Sequence, residues 1–273
     1  MTLGAFGDRD LITATQENAQ AAMRSPSSGA DNAGPRLDQG VVYAIGDIHG
    51  RADLLLDVLG RIRTRETARG GQEKACVIFL GDYVDRGPQS RQVIEHIIAF
   101  SCEGLSDVVT LKGNHEEMML KFLVGDSVGS EWIKLGGAAT LRSYGVQPPH
   151  PEAPQAEFEA ARKLFVQAVS PEHVAFLEGL QLWVERGDYV FVHAGVKPDV
   201  PIADQHERDL LWIRGEFGRC ERPSSKVVVY GHTPSSKPKL ERWKIGLDTG
   251  AYMSGRLTAL RLEDARQEII QSD

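Results

Sequence analysis

Val41-Val42-Tyr43-Ala44-Ile45-Gly46-Asp47-Ile48-His49-Gly50 runs from five apolar residues straight into a polar turn. The β-branched run reads as a buried strand, and it ends at a glycine. Asp47 and His49 follow at once. Beyond them, Leu54, Leu55, Val58, Leu59 and Ile62 recur at helical spacing through residues 52–65. Strand, polar turn and helix therefore follow one another within 25 residues.

The same order recurs along the chain. Cys76 to Leu80 is a second strand, ending in Gly81-Asp82-Tyr83-Val84-Asp85-Arg86-Gly87 and followed by a helix from Ser90 to Phe100. Val108 to Leu111 is a third, ending in Gly113-Asn114-His115-Glu116 before a helical stretch from Glu116 to Phe122. Tyr189 to Val192 leads into His193-Ala194-Gly195, Val227 to Tyr230 into Gly231-His232-Thr233, and Leu257 to Leu262 is a last strand. Strands alternating with helices imply an α/β fold with βαβ units and a largely parallel sheet. In open α/β sheets, ligands bind outside the carboxyl ends of the strands.

Five such loops would bring Asp47, His49, Asp82, Asn114, His193 and His232 to one edge. Carboxylate and amide oxygens mixed with imidazoles suit Mn, Fe or Zn better than Mg or Ca. One carboxylate can bridge two such ions about 3.5–4 Å apart, the spacing used for in-line displacement at phosphorus. Hydrolysis of a phosphate ester is the chemistry this pattern points to. The competing reading is that these are turn and capping residues, which Asp and Asn often are. Six groups after five strands converge better on a site than on chance. His96, His150, His173 and His206 lack any such context and receive no role.

Composition narrows the class. The chain has 273 residues, 41% hydrophobic and 25% charged, with a net charge of −7. Nucleic-acid binding normally leaves a basic footprint, so it is not expected. A phosphorylated substrate remains compatible, because bound cations invert the local field. No apolar run approaches the roughly 20 residues of a membrane helix. Three unpaired-looking cysteines and no visible secretory signal fit a cytoplasmic protein. Residues 1–38 contain Ser25-Pro26-Ser27-Ser28-Gly29 and a following Asp/Asn/Gly/Pro stretch, a composition expected to stay disordered. Residues 39–273 are expected to form one domain. A Pro-rich and helical insertion at about 123–185 is expected to lie over the active face.

The motifs GDIHG, GDYVDRG, GNHE, HAG and GHT, in this order from Gly46 to Thr233, resemble those of the calcineurin-like metallophosphoesterase superfamily. The complete second and third motifs look like its serine/threonine phosphoprotein phosphatase branch. GHTP and Leu247-Asp248-Thr249-Gly250-Ala251 look like bacterial and phage members. That resemblance implies a four-layer α/β/β/α sandwich of two mixed sheets, with two divalent metal ions, preferentially Mn²⁺, at the C-terminal strand ends. Asp47 and His49 match ligands of one metal, Asp82 the bridge, and Asn114, His193 and His232 ligands of the other. His115 matches the general acid and Asp85 the carboxylate that pairs with it. Arg86 matches a phosphate-gripping arginine, with Asn114 beside the same phosphate. Arg214, after Leu210-Leu211-Trp212, is a looser match to a second arginine.

These roles make chemical sense. A serine alkoxide leaves poorly without a proton, and an aspartate bonded to a histidine fixes its tautomer and raises its pKa. Two guanidiniums and two metals counter the charge that develops on phosphorus, while the metals supply hydroxide at neutral pH. The implied function is hydrolysis of phosphoserine and phosphothreonine on proteins, with phosphotyrosine open and a monomer favoured. The nearest rival is a symmetrical dinucleoside tetraphosphate hydrolase. Relatives of that kind tend to replace the aspartate found here at position 85, which favours the phosphatase. A non-catalytic interaction module ranks lower because every expected ligand is present. Asp248 is expected to support backbone groups rather than metal.

Overall fold

The computed structural model describes residues 34–38, 40–70 and 73–272. The expected disordered tail, up to residue 33, lies outside them. Its last residues, Pro35 to Asp38, are placed against the body of the protein: the Arg36 and Leu37 N–H groups donate to the Asp188 carboxylate and the Asp264 carbonyl.

The strands are β1 (Val41–Ile45), β2 (Ala75–Phe79), β3 (Ser106–Thr110), β4 (Trp183–Arg186), β5 (Tyr189–Val192), β6 (Val227–Tyr230), β7 (Lys239–Leu240), β8 (Lys244–Gly246), β9 (Thr258–Glu263) and β10 (Arg266–Gln271). The α-helices are α1 (Ala52–Arg69), α2 (Ser90–Cys102), α3 (Asn114–Val124), α4 (Gly129–Trp132), α5 (Ala138–Ser143), α6 (Gln155–Ala168), α7 (Pro171–Glu178), α8 (Glu207–Trp212), α9 (Gly215–Arg219) and α10 (Ala251–Ser254). A π-turn over Ile133–Gly137 joins α4 to α5.

Two mixed sheets result, ordered β10-β9-β1-β2-β3 and β4-β5-β6-β8-β7. Their centres are parallel: β1 pairs with β2, β2 with β3, β5 with β6 and β6 with β8. Their edges are antiparallel, through β9, β10, β4 and β7. The period-2 alternation of strands divides the core. Val41, Tyr43 and Ile45 face α1, α2 and the inserted helices, whereas Val42 and Ala44 face the second sheet. Tyr189, Phe191, Val227 and Val229 meet them there, and Val190, Val192 and Val228 pack outward against Leu210 and Phe217 of α8 and α9. Helix, sheet, sheet and helix stack as four layers, as the resemblance implied.

Four strands had no signal that would announce them. β4 and β10 are charged edge strands with few buried side chains, and β7 and β8 are only two and three residues long. Residues 123–182 form helices that join the outer layer through Trp132, Phe158, Phe165 and Leu177. Trp132 and Thr140 of this segment bond to Asp85, and the Gly136 carbonyl accepts from the Arg86 N–H.

Candidate metal centre

The loops after β1, β2, β3, β5 and β6 meet at one edge, and backbone strain is concentrated there. Among the described residues seven non-glycine positions have positive φ, and five of them are His49, Asp82, Asp85, Arg86 and His232. Residues keep such conformations only where their surroundings impose them. Glu116 imposes much of it. Its buried carboxylate accepts from the N–H groups of Asp82 (2.8 Å), Tyr83 (2.8 Å), Val84 (3.2 Å) and Gly113 (2.9 Å). The second-motif loop is thereby clasped to the N-terminus of α3, which begins at Asn114 rather than at Glu116. Close approach explains two glycines: a Cβ on Gly231 would collide with Asp47 Oδ1, and one on Gly113 with Asp82 Oδ1.

Two sets of side chains could hold a cation: His49, Asp82 and His115, and Asp82, His193 and His232. Asp82 belongs to both. His49 Nε2 lies 3.4 Å from its Oδ2, and His193 Nε2 lies 3.4 Å from its Oδ1. Asn114 Oδ1 sits between His193 Nε2 (3.0 Å) and His232 Nδ1 (2.8 Å). Asp47 accepts the His232 N–H on both oxygens, at 3.1 and 2.9 Å. The structure therefore gathers all six residues singled out in the sequence.

The donor set suits divalent cations. His49 and His193 each place Nδ1 2.9 Å from a carbonyl, of Val84 and Leu80 respectively. Each Nδ1 thus carries the proton, and Nε2 presents a bare lone pair toward Asp82. His193 Nε2 then faces the amide oxygen of Asn114, acceptor against acceptor, a contact that only a proton or a cation makes favourable. His232 Nε2 is buried with no partner. Burial keeps these rings neutral, lowering His49 to about 3 and His232 to about 2. Burial, reinforced by Asp248 and Asp82, pushes Asp47 up, a repulsion that a cation would relieve. Asp82 is held below the usual carboxylate range: burial opposes its charge, but the imidazoles around it, among which His115 has the raised pKa, outweigh burial.

Beside this cluster lies a histidine–aspartate pair. His115 Nδ1 is 2.6 Å from Asp85 Oδ2. Trp132 Nε1 donates to the same oxygen at 2.8 Å, and Thr140 Oγ1 donates to Oδ1 at 2.5 Å. Burial works against a charged His115, yet Asp82 and the Asp85 hydrogen bond raise its pKa above the ordinary value. Arg86 Nη2 lies 3.1 Å from His115 Nε2, and its guanidinium stacks 4.9 Å from the Tyr252 ring. Arg86 Nη2 can donate to Nε2 only while that nitrogen is unprotonated, and the guanidinium charge works against the imidazolium.

Arg214 is exposed, at the start of α9, and its charge reaches His193 and His232 while that of Arg86 reaches Asp47 and His49. The two guanidiniums thus flank the two clusters. Glu116, Trp132 and Thr140 were not anticipated as site residues, whereas Tyr252 lies in the C-terminal segment that the resemblance placed near the active-site edge. Glu116 closes the GNHE motif, but the loop it clasps lies 32 to 34 positions away. Trp132 and Thr140 lie 47 and 55 positions from Asp85, with nothing in their local pattern to link them.

Residues 40–257 match the family described as calcineurin-like phosphoesterase. A bis(5'-nucleosyl)-tetraphosphatase PrpE [asymmetrical] of Anoxybacillus flavithermus is 28% identical over 239 residues, covering 80% of this chain and 88% of that protein. A solved structure named as a proposed diadenosine tetraphosphatase superposes with a TM-score of 0.60 at 18% identity, covering 86% of this chain and 94% of its own. A cold-active protein tyrosine phosphatase mutant superposes with a TM-score of 0.58 at 17% identity, covering 85% and 80%.

Proposed function

Because this chain belongs to the calcineurin-like phosphoesterase family, we propose that it is a hydrolase of dinucleoside tetraphosphates. The observation that supports this substrate class is the likeness to the tetraphosphatase relative along nearly its whole length. Asp47 and His49 would hold one divalent cation, Asn114, His193 and His232 the other, and Asp82 both. Mn²⁺ suits this mixture of oxygen and imidazole donors. Such cations supply charge neutralisation at phosphorus and Lewis-acid activation of the attacking water.

The chain's own groups do the rest. Arg86 and Arg214 bind phosphate oxygens from opposite ends of the cluster, as planar guanidiniums do. Asn114 holds its amide oxygen between His193 and His232, oriented by the His232 Nδ1–H. Once Arg86 has turned to the phosphate, His115 can carry a proton on Nε2 while Asp85 retains Nδ1. Water attacks one phosphorus and releases a proton to solvent as the new P–O bond forms, the P–O bond to the departing nucleotide breaks, and His115 delivers its own proton to the released oxygen, to be reprotonated from solvent.

Asp85 separates phosphatase from tetraphosphatase less sharply than its presence in the sequence suggested. Its carboxylate orients His115, and an oriented acid serves an anhydride and an ester alike. An alkoxide needs the proton more than a phosphate oxygen does. The close Asp85–His115 contact therefore favours a second reading, hydrolysis of protein phosphoserine or phosphothreonine.

The test is a parallel assay of Mn²⁺-loaded protein on diadenosine tetraphosphate and on phosphoserine, phosphothreonine and phosphotyrosine peptides. The nucleotide should give the larger kcat/KM by about tenfold or more, one decade being about 1.4 kcal/mol of transition-state discrimination. Chromatography separates asymmetrical products, ATP with AMP, from symmetrical ones, two ADP. A preference for any of the peptides would overturn the first reading.

A further inference from the structure

One side of the metal centre carries an uncharged groove that no step above uses. It lies between the loop after β6 and helix α10, encloses about 320 Å³, and is lined by Pro234, Ser235, Ser236, Gly250, Met253 and Ser254. Met253 is 65% exposed there, an apolar side chain open to water beside a catalytic cluster. The hydroxyls of Ser235 and Ser236 have no hydrogen-bond partner among the described residues.

The groove is continuous with the site. Pro234 follows His232 by two residues. The Gly250 N–H donates to Asp248 Oδ1 (2.8 Å), and the Ser235 N–H donates to the Asp248 carbonyl (3.0 Å). The carboxylate of Asp248 lies near enough to Asp47 for its charge to help raise that group's pKa. Tyr252, next to Met253, presents its ring to His49 at 5.4 Å and to Arg86. One wall of the groove is thus tied to the cluster that would hold the reacting phosphate.

We propose that this groove is a nucleoside subsite, taking the base and ribose of the nucleotide whose phosphate lies between Arg86 and the metal-ligand cluster. The proposal rests on the hydrolase reading above and adds to it the element that recognises the non-reacting end of the substrate. The chemistry fits a neutral heterocycle on a sugar. Met253 and Pro234 offer apolar surface to a base, and Ser235 and Ser236 offer free hydroxyls to ring nitrogens or ribose. No charged side chain among the lining residues selects a charged peptide flank. Pockets for such ligands are mostly apolar with a few placed polar groups.

The experiment compares AMP and ribose 5-phosphate as competitive inhibitors of p-nitrophenyl phosphate hydrolysis, for wild type and Met253→Glu, with Mn²⁺ present. Both inhibitors carry the phosphate and sugar, and only AMP carries a base. AMP should inhibit at least tenfold more tightly in wild type, and Met253→Glu should bring the two inhibition constants within about twofold while KM for p-nitrophenyl phosphate stays unchanged. Met253 is exposed, so the substitution leaves the fold intact. Equal inhibition by the two compounds in wild type would overturn the proposal, as would an AMP preference that survives Met253→Glu. An AMP-insensitive enzyme in which Met253→Glu raises KM for a phosphoserine peptide would make the groove a peptide site, and so also overturn it. A wild type that prefers AMP but leaves diadenosine tetraphosphate intact would sustain the subsite and defeat only the substrate reading.

Discussion

At the scale of single residues, the centre depends on which lone pairs are left bare. Val84 and Leu80 take the Nδ1 protons of His49 and His193, so tautomer choice is made by backbone carbonyls rather than by the ligand set. His115 is handled differently, because its Nδ1 partner is the carboxylate of Asp85. Burial lowers the pKa of His49 and His193 against the weak opposing pull of their carbonyl partners, whereas Asp82 and the Asp85 carboxylate raise that of His115, and under the proposed reading this separates a proton donor from cation ligands of the same residue type. His115→Ala should lower kcat on a phosphoserine peptide by about 10²–10⁴-fold, the usual worth of a positioned acid. The loss on p-nitrophenyl phosphate should be far smaller, since nitrophenolate leaves without a proton. Metal content measured by mass spectrometry should be unchanged. Equal losses on both substrates would remove the general-acid role.

At the scale of elements, α4 and α5 matter to the chemistry more than their short lengths suggest. They bring Trp132 and Thr140 to the two oxygens of Asp85, and the π-turn between them offers the Gly136 carbonyl to the Arg86 N–H at 3.2 Å. The ring of Trp132 is fully buried and packs 5.0 Å from that of Phe122, so its indole N–H is held at Asp85 by the packing of α3 and α6. Trp132→Phe keeps most of that packing and deletes one donor. Orienting partners one shell out typically change activity by about 10- to 100-fold. The expected result is a fall of that order in kcat on a phosphoserine peptide, with KM nearly constant and a smaller fall on p-nitrophenyl phosphate. A variant that loses stability but shows the same leaving-group dependence as wild type would reduce Trp132 to a packing residue. None of this was legible in advance. The local pattern of residues 129–143 says nothing of which distant loop its side chains will meet.

At the scale of the whole molecule, the two sheets bring five loop ends together, and the inserted helices close the outer layer around them. His173 helps join those helices: its Nδ1 lies 2.8 Å from the Tyr144 hydroxyl, linking α7 to the end of α5. Burial holds this imidazole below its usual pKa. The unfolded chain takes up a proton near pH 6.5 and the native state does so only at lower pH. Stability is therefore complete above about pH 6.5 and declines as pH falls below it. Scanning calorimetry between pH 7.5 and 5.5 should show a smaller drop in Tm for His173→Phe than for wild type, and identical drops would exclude His173 as a contributor. The motifs after each strand marked the candidate cation-binding residues and the alternation of strand and helix, because strand period and turn chemistry are local and each cluster is contiguous in the chain. Asp85 and His115 were legible through the resemblance of their motifs to those of the family. The edge strands, the Glu116 clasp, the Trp132 and Thr140 supports and the Met253 groove were decided only in three dimensions. Each joins segments whose pairing depends on how the layers stack, and no local periodicity carries that information.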